Sequence, residues 1–413
     1  MNTQTRLTSA WPVLAVVVAS LVSTPSFASS QESRQLASLS AEEAVRWAIQ
    51  NRPVVAAAQS EVAALETRAQ AVRSSAPLRL LFGRGNDEVP GSTDNDLALS
   101  QSIDWFGRSR LAGAVADSEA NIARANLRQV KLEVQSEVLN LFNQAVVSGE
   151  KLVIARELVA IATRFRDAAK RRVDTGQAPE VQLLRANIEL ERATQVLELR
   201  GSEALAAISR LAGATGAPNA SPAGFFARAG SPEPSFMQRV PRVLALTAEL
   251  QLLNDRIRQE KISNRPDVEL QVRRSPWMDN AQVGLRVQVS VPITDYGRSR
   301  RSVEALQMSR RGFEQQREDA LRMAAAEFQA LQQERNGAER QVSKLEALIR
   351  DAEELLRINE RGFETGALTL IESLEAARSL REIEEALLDA KFRLATLDVA
   401  ILKTEGLLLE EGA

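Results

Sequence analysis

Gln101-Ser102-Ile103-Asp104-Trp105-Phe106-Gly107-Arg108-Ser109-Arg110 is the stretch that decides the fold, because the chain writes it twice. Val291-Pro292-Ile293-Thr294-Asp295-Tyr296-Gly297-Arg298-Ser299-Arg300 returns 190 residues later with the same Gly-Arg-Ser-Arg ending. Thr175-Gly176 returns as Thr365-Gly366 at the same offset, Arg171 as Arg361, and Asp174 as Glu364. Leu78, Leu80 and Phe82 return as Val268, Leu270 and Val272. One offset shared over such a span marks an internal duplication, and the repeated unit is the unit of structure.

Each half reads in the same order. A helix over Ala41 to Ser74, or Phe236 to Ser263, leads to a strand over 78–82, or 268–273. A turn-rich loop (Gly83 to Asp94, Ser275 to Asn280) and a second strand (95–103, 281–293) follow. A long helix then runs from Ser109 to Asp174, or from Ser299 to Glu364, turns at Gly176 or Gly366, and returns to end near Leu211 or Leu409. The expected organisation is an export signal over 1–28, a first repeat over 29–212, an Ala/Gly/Pro/Ser-rich linker over 213–235 and a second repeat over 236–413. Val342, Leu345, Ile349, Ala352 and Leu356 step by threes and fours, and Leu152, Ala155, Val159 and Ala162 repeat the step. Such steps make coiled-coil seams, and alanine in them lets helices approach closely. A helix of about 68 residues is about 100 Å long at 1.5 Å per residue. The flanking helices are half that length, so two end to end cover one long helix.

Val283, Leu285, Val287, Val289 and Val291 alternate with Gly284, Arg286, Gln288 and Ser290. Leu97, Leu99 and Ile103 alternate with Ala98, Ser100 and Ser102, and Gln101 interrupts the apolar row. A half-buried soluble sheet shares this alternation with a transmembrane strand. The junctions tilt the reading: Trp105, Phe106 and Tyr296 stand where strand becomes helix, as girdle aromatics do at a barrel rim. Arg108, Arg110, Arg298, Arg300 and Arg301 follow at once. Arginine at a helix start opposes the helix dipole, so an outside anion such as a lipid phosphate is the expected compensation. Gly107 and Gly297 permit the redirection of the chain. Four strands cannot close a barrel, and open edges do not survive in lipid. Three copies would supply twelve.

Composition narrows the chemistry. The chain of 413 residues carries 52 basic and 54 acidic side chains, no cysteine and no histidine. The balance argues against a nucleic-acid partner. Without histidine or cysteine there is no Ser-His-Asp triad, no zinc motif and no thiol nucleophile. No phosphate-binding GxxxxGK[ST] loop occurs, and the plentiful carboxylates sit on helix faces beside arginines, so no enzyme and no cofactor or metal is expected. Arg6, the apolar Trp11 to Val22 and Ser26-Phe27-Ala28 read as a secretory signal cleaved after Ala28. The apolar run is shorter than the ~20 residues a spanning helix needs.

With these junctions and the tip turns Arg171-Arg172-Val173-Asp174-Thr175-Gly176 and Arg361-Gly362-Phe363-Glu364-Thr365-Gly366, the chain resembles the TolC family of outer-membrane efflux proteins. Among these it looks nearest to the outer-membrane partners of heavy-metal and cation efflux systems. The resemblance implies a mainly α fold with a small membrane β-barrel, in which a homotrimer forms a 12-stranded barrel on an α-helical periplasmic tunnel. It implies a passive exit duct of a tripartite efflux or type I secretion system in a Gram-negative outer membrane. A periplasmic adaptor and an inner-membrane transporter are the implied partners. Many such proteins carry a lipidated N-terminal cysteine; with none here, anchoring is expected from the barrel in lipid. Val173, Asp174, Thr175, Gly176 and Gln177 of the first tip are expected to touch the adaptor. So are Phe363, Glu364, Thr365, Gly366 and Ala367 of the second. Asp174 and Glu364 stand at helix C-termini, where the dipole disfavours negative charge, and are expected to gate the mouth. The competing reading is a soluble periplasmic coiled-coil scaffold or adaptor, which explains the helices but not the paired hairpins with aromatic and arginine borders.

Overall fold

The computed structural model describes residues 38–86, 93–217, 221–226, 234–274, 283–365 and 367–409. The export signal, Ser275 to Asn280 with the first two residues of the expected last strand, and Gly366 lie outside them.

The first half opens with β1 (Ser38–Leu39), α1 (Ala41–Asn51) and α2 (Pro53–Arg73). The sequence predicts one helix from Ala41 to Ser74, and the structure breaks it at Arg52. Pro53 forces its predecessor out of the helical region, and Arg52 takes ψ 125°. Ser40 and Glu43 close a capping box at the start of α1: the Ser40 hydroxyl accepts the Glu43 N–H, and the Glu43 carboxylate accepts the Ser40 N–H.

The sheet follows: β2 (Arg79–Asn86) and β3 (Thr93–Ile103). β2 runs past Phe82 into residues expected in the loop, because Gly83, Arg84, Gly85 and Asn86 all pair with β3. Then come α3 (Arg108–Asp174, 67 residues) and its return α4 (Glu180–Thr215). α4 overruns Leu211 and takes the first residues of the stretch read as linker. It stops where Gly216 adopts φ +73°. β4 (Ser221–Pro222) pairs parallel with β1.

The second half repeats the plan. A short 3₁₀ turn (Pro234–Gln238) and α5 (Pro241–Lys261) replace the single helix expected from Phe236, with Pro241 at the first helical turn. β5 (Asp267–Arg274) and β6 (Val283–Ser290) precede α6 (Arg298–Thr365, 68 residues) and α7 (Leu370–Thr404). β6 ends at Ser290 rather than Ile293, since Pro292 cannot donate to a ladder. α7 ends short of Leu409, near Gly406 at φ +67°.

All four long strands form one antiparallel sheet in the order β2-β3-β5-β6. The two hairpins are joined through β3 and β5, with Leu99 opposite Val272 and Ile103 opposite Val268. Below the sheet, α2 and α4 both pack along α3, and α5 and α7 along α6. The heptad positions face the packing: Ala155, Ala162, Ala352 and Leu356 are buried, and Leu152, Val159, Val342, Leu345 and Ile349 half-buried. The largest core lies mid-stalk, where Val138, Leu139 and Phe142 of α3 meet Val45 and Ile49 of α1, Leu211 of α4 and Val399 of α7. Gln135 straps the C-terminal segment across it, donating to the Leu407 carbonyl at 2.8 Å and accepting from the Leu409 N–H at 2.8 Å.

Candidate functional site

The sheet has two chemically opposite faces. The cross-strand rungs Leu80–Leu99–Val272–Leu285 and Ile103–Val268–Val289 are wholly apolar and lie on one face, which also carries Gln101 between them and Arg274 beyond them. It is exposed, Leu285 at 71%. The opposite face carries the rungs Arg79–Ser100–Gln271–Arg286 and Ser102–Glu269–Gln288. Here Ser100 is only 1% exposed, and the Gln271 amide donates to Gln288 at 3.4 Å. A sheet in water buries its apolar face, so this arrangement is inside out for a soluble protein and right for a membrane wall. Among the described residues both edge strands, β2 and β6, have one side without a partner strand.

At the first junction Gly107 takes φ +74° and turns the chain from sheet to helix. The start of α3 is capped from within. The Asp104 carboxylate accepts the N–H groups of Arg108 at 2.6 Å and Ser109 at 2.8 Å. Partial burial pushes the pKa of Asp104 up, but the N–H donors of Ser109 and Arg108 outweigh it and hold the group below its ordinary value. The expectation that Arg108 reaches a lipid phosphate is corrected: its guanidinium turns across to the second repeat. There it pairs with Asp267 at the foot of β5 and donates to the carbonyls of Arg265 and Ser263. Arg265 in turn lies 5.9 Å over the Phe106 ring. Trp105 stays 74% exposed, and Arg110 is exposed.

The second junction solves the same problem one residue out of step. The Asp295 carboxylate accepts the N–H groups of Gly297 at 2.9 Å and Ser299 at 3.2 Å, and the Asn264 amide. These contacts, the Gly297 N–H foremost, hold its pKa low. Gly297 is at φ +74°, and Tyr296 before it at φ +51°, a strained conformation for an aromatic residue. Tyr296 is 89% exposed. Arg298 and Arg300 are exposed, and Arg300 pairs with Glu304 one turn on at 3.0 Å.

The tips are near copies. Gln177 and Ala178 donate to the Arg172 carbonyl, and Ala367 and Leu368 donate to the equivalent Gly362 carbonyl, at 2.8 to 3.1 Å. Gly176 takes φ +74°. The hydroxyls of Thr175 and Thr365 cap the carbonyls of Arg171 and Arg361 at 2.9 and 3.0 Å. Val173 is half-buried, while Asp174, Thr175, Gln177, Thr365 and Ala367 are exposed at the turns. Glu364 is the last residue but one of α6, which ends at Thr365. Phe363 is the exception and a correction: at 1% exposure it cannot offer a surface to an adaptor. Its ring meets Phe165 edge-on at 5.7 Å, and the Arg172 guanidinium lies 5.5 Å over it. It locks the two tips of one chain together. Gly362 makes room for this turn, since a Cβ there would stand 2.5 Å from a Leu368 methyl.

The capping aspartates, the Asp267 partner of Arg108 and the anchoring role of Phe363 escaped the sequence reading. The signal for the first was present: an aspartate stands two or three residues before each junction glycine, hidden because the two copies are offset by one. Among the described residues there is no cluster of metal-binding side chains, and no helix is long and apolar enough to cross a membrane.

A sheet with an apolar outer face, mounted on helical hairpins about 100 Å long, defines a channel-forming protein of the outer-membrane type. The pattern of the family described as outer membrane efflux protein matches residues 44–217 and again 235–405. The chain belongs to that family, and its role is that of an outer-membrane efflux duct; this favours the duct over the soluble scaffold. It is 22% identical over 373 residues to the pyoverdine export outer membrane protein OpmQ of Pseudomonas putida, covering 81% of this chain and 79% of the relative. It is 24% identical over 294 residues to the cobalt-zinc-cadmium resistance protein CzcC of Cupriavidus metallidurans, covering 67% and 69%. The fold matches a solved structure of CusC with TM-score 0.73 at 15% identity, covering 88% of this chain and 91% of that one.

Proposed function

We propose that three copies of this chain close a twelve-stranded barrel above a common helical tunnel, and that the assembly is a passive exit duct. It would take its cargo from an inner-membrane transporter through a periplasmic adaptor. The observation that carries this reading is the four-stranded sheet with an apolar exposed face and two edges without a partner strand among the described residues. In hydrocarbon each unsatisfied backbone group costs several kcal/mol, so the edges must pair with further copies. Tips exposing Asp174, Thr175, Gln177, Thr365 and Ala367 are the surface for the adaptor. Export would remove the first 28 residues, and the barrel alone would anchor the protein. The relatives' names speak of pyoverdine export in one case and of cobalt-zinc-cadmium resistance in the other, so the likeness assigns no cargo. The energy comes from the transporter, and the duct itself carries out no chemical step.

The test is fractionation followed by native mass measurement in detergent. The expected result is outer-membrane material with three chains per particle. A monomer that stays soluble without detergent would overturn the proposal.

A further inference from the structure

Gln101 is the one polar side chain in the apolar rungs near the foot of the sheet, opposite Leu270. It costs the lipid-facing surface a hydrophobic position, and barrel closure gives no reason for it. Its neighbours supply one. Gln101, Ile103 and Leu270 form the roof of a crevice of about 770 Å³, whose lower walls are Arg73 and Ser75 from the end of α2 and Arg110 from the start of α3. The crevice lies where the apolar face of the sheet ends and the polar stalk begins. Its roof is continuous with the face read as lipid-facing, and its floor sets Arg73 and Arg110 beside the Asp104 carboxylate.

The walls are built. The Arg73 stem lies across α3 at Gly113, where a Cβ would come within 2.6 Å of its Cγ. Asp117 pairs with its guanidinium and holds it there. The free N–H groups at the start of α3 are not the attraction, because Asp104 already takes them. Arg110 and Gln101 remain: both are exposed, and neither side chain has a hydrogen-bond or ion-pair partner among the described residues. A guanidinium and a carboxamide lining one crevice at the end of an apolar wall match a phosphodiester whose acyl chains run up that wall.

We propose that this crevice binds the phosphate headgroup of one membrane phospholipid per chain, with Arg110 and Gln101 as its ligands and Arg73 as a fixed flanking cation. The inference rests on the outer-membrane reading above and makes it more specific. The second repeat supplies an internal control. Its matching crevice, with Lys261, Ser299 and Arg300, has no lining residue from a strand. Its arginine is already paired with Glu304. It should hold no lipid.

The experiment is native mass spectrometry of the full chain in detergent, titrated with phosphatidylglycerol and, separately, with inorganic phosphate. Wild type should retain about one phospholipid per chain. Gln101→Leu with Arg110→Gln should weaken that binding roughly tenfold, the scale of one lost charged hydrogen bond. Arg300→Gln should leave it unchanged. Equal retention by all three proteins would overturn the proposal, as would displacement of the lipid by millimolar inorganic phosphate. The same spectra report the number of chains. Intact trimers with unaltered lipid retention would sink this inference alone, while wild-type monomers would sink the assembly beneath it.

Discussion

Phe363 shows how one side chain can change its meaning between sequence and structure. In sequence it stands beside a turn and looks like a contact residue. In the fold it is the plug between Phe165 and Arg172 that ties the second tip to the first. Phe363→Ala should cost ~3–5 kcal/mol as a buried aromatic truncation, seen as a lowered thermal midpoint in detergent. It should also loosen the tips, seen as more frequent openings in single-channel records. An unchanged midpoint would mean that the ring is not buried in the assembled protein. The junction aspartates make a different case. Asp104 and Asp295 are held below their ordinary pKa in the folded chain. Each therefore contributes stability that is present above the unfolded carboxyl value, about 3.9, and lost as pH falls through the lower folded value. Trimers should be unaffected from pH 7 to 5 and lose stability below about 4. Asp104→Asn should flatten that acid-side loss, measured by melting across the pH series. No sequence argument reaches these caps through the duplication alone, because the two aspartates do not align at the shared offset.

Among the elements, the strands were legible through alternation and the long helices through heptad steps and length. Boundaries were less so wherever a proline or a partner strand intervened. Pro53 was visible, but alanine and other helix-favouring residues continue on both sides of it and hid the break at Arg52. The strand extension through Gly83 and Gly85 was hidden because glycine reads as a turn, while the ladder to Asp96 and Asp94 supplies its order from across the sheet. The register, once given, makes a strong prediction. Val287 shares the apolar face with Leu270, whereas Gln288 lies on the rung of Ser102 and Glu269. Arginine on the lipid face of a barrel costs ~2–4 kcal/mol at mid-bilayer and less toward an interface. Val287→Arg should reduce assembled protein in the outer membrane severalfold, while Gln288→Arg should assemble normally. Immunoblots of outer-membrane fractions decide it, and equal losses would contradict the face assignment.

At the scale of the whole molecule, two reversals of a helical hairpin must sit at the periplasmic end of every chain, and each brings an acid to a helix C-terminus. The dipole there disfavours Asp174 and Glu364, so their presence costs local stability and calls for a role in the assembly. Three copies would set two rings of carboxylates around the mouth. In such rings like charges would repel and favour an open iris, and they would draw cations into the entrance. The Arg172–Phe363 contact opposes the repulsion by holding the two tips of each chain together. Turn geometry and charge are separable. A bulky residue at Gly176 meets the penalty of φ +74°, so Gly176→Val should abolish export while trimer and outer-membrane level persist. Asp174→Asn with Glu364→Gln keeps the turn and removes the rings. In planar bilayers this double variant should lose its cation preference, read as a shift of reversal potential toward zero in a salt gradient. Its open probability should fall because nothing then opposes the aromatic lock. A double variant with the conductance, reversal potential and gating of wild type would leave the turn geometry as the whole function of the tips.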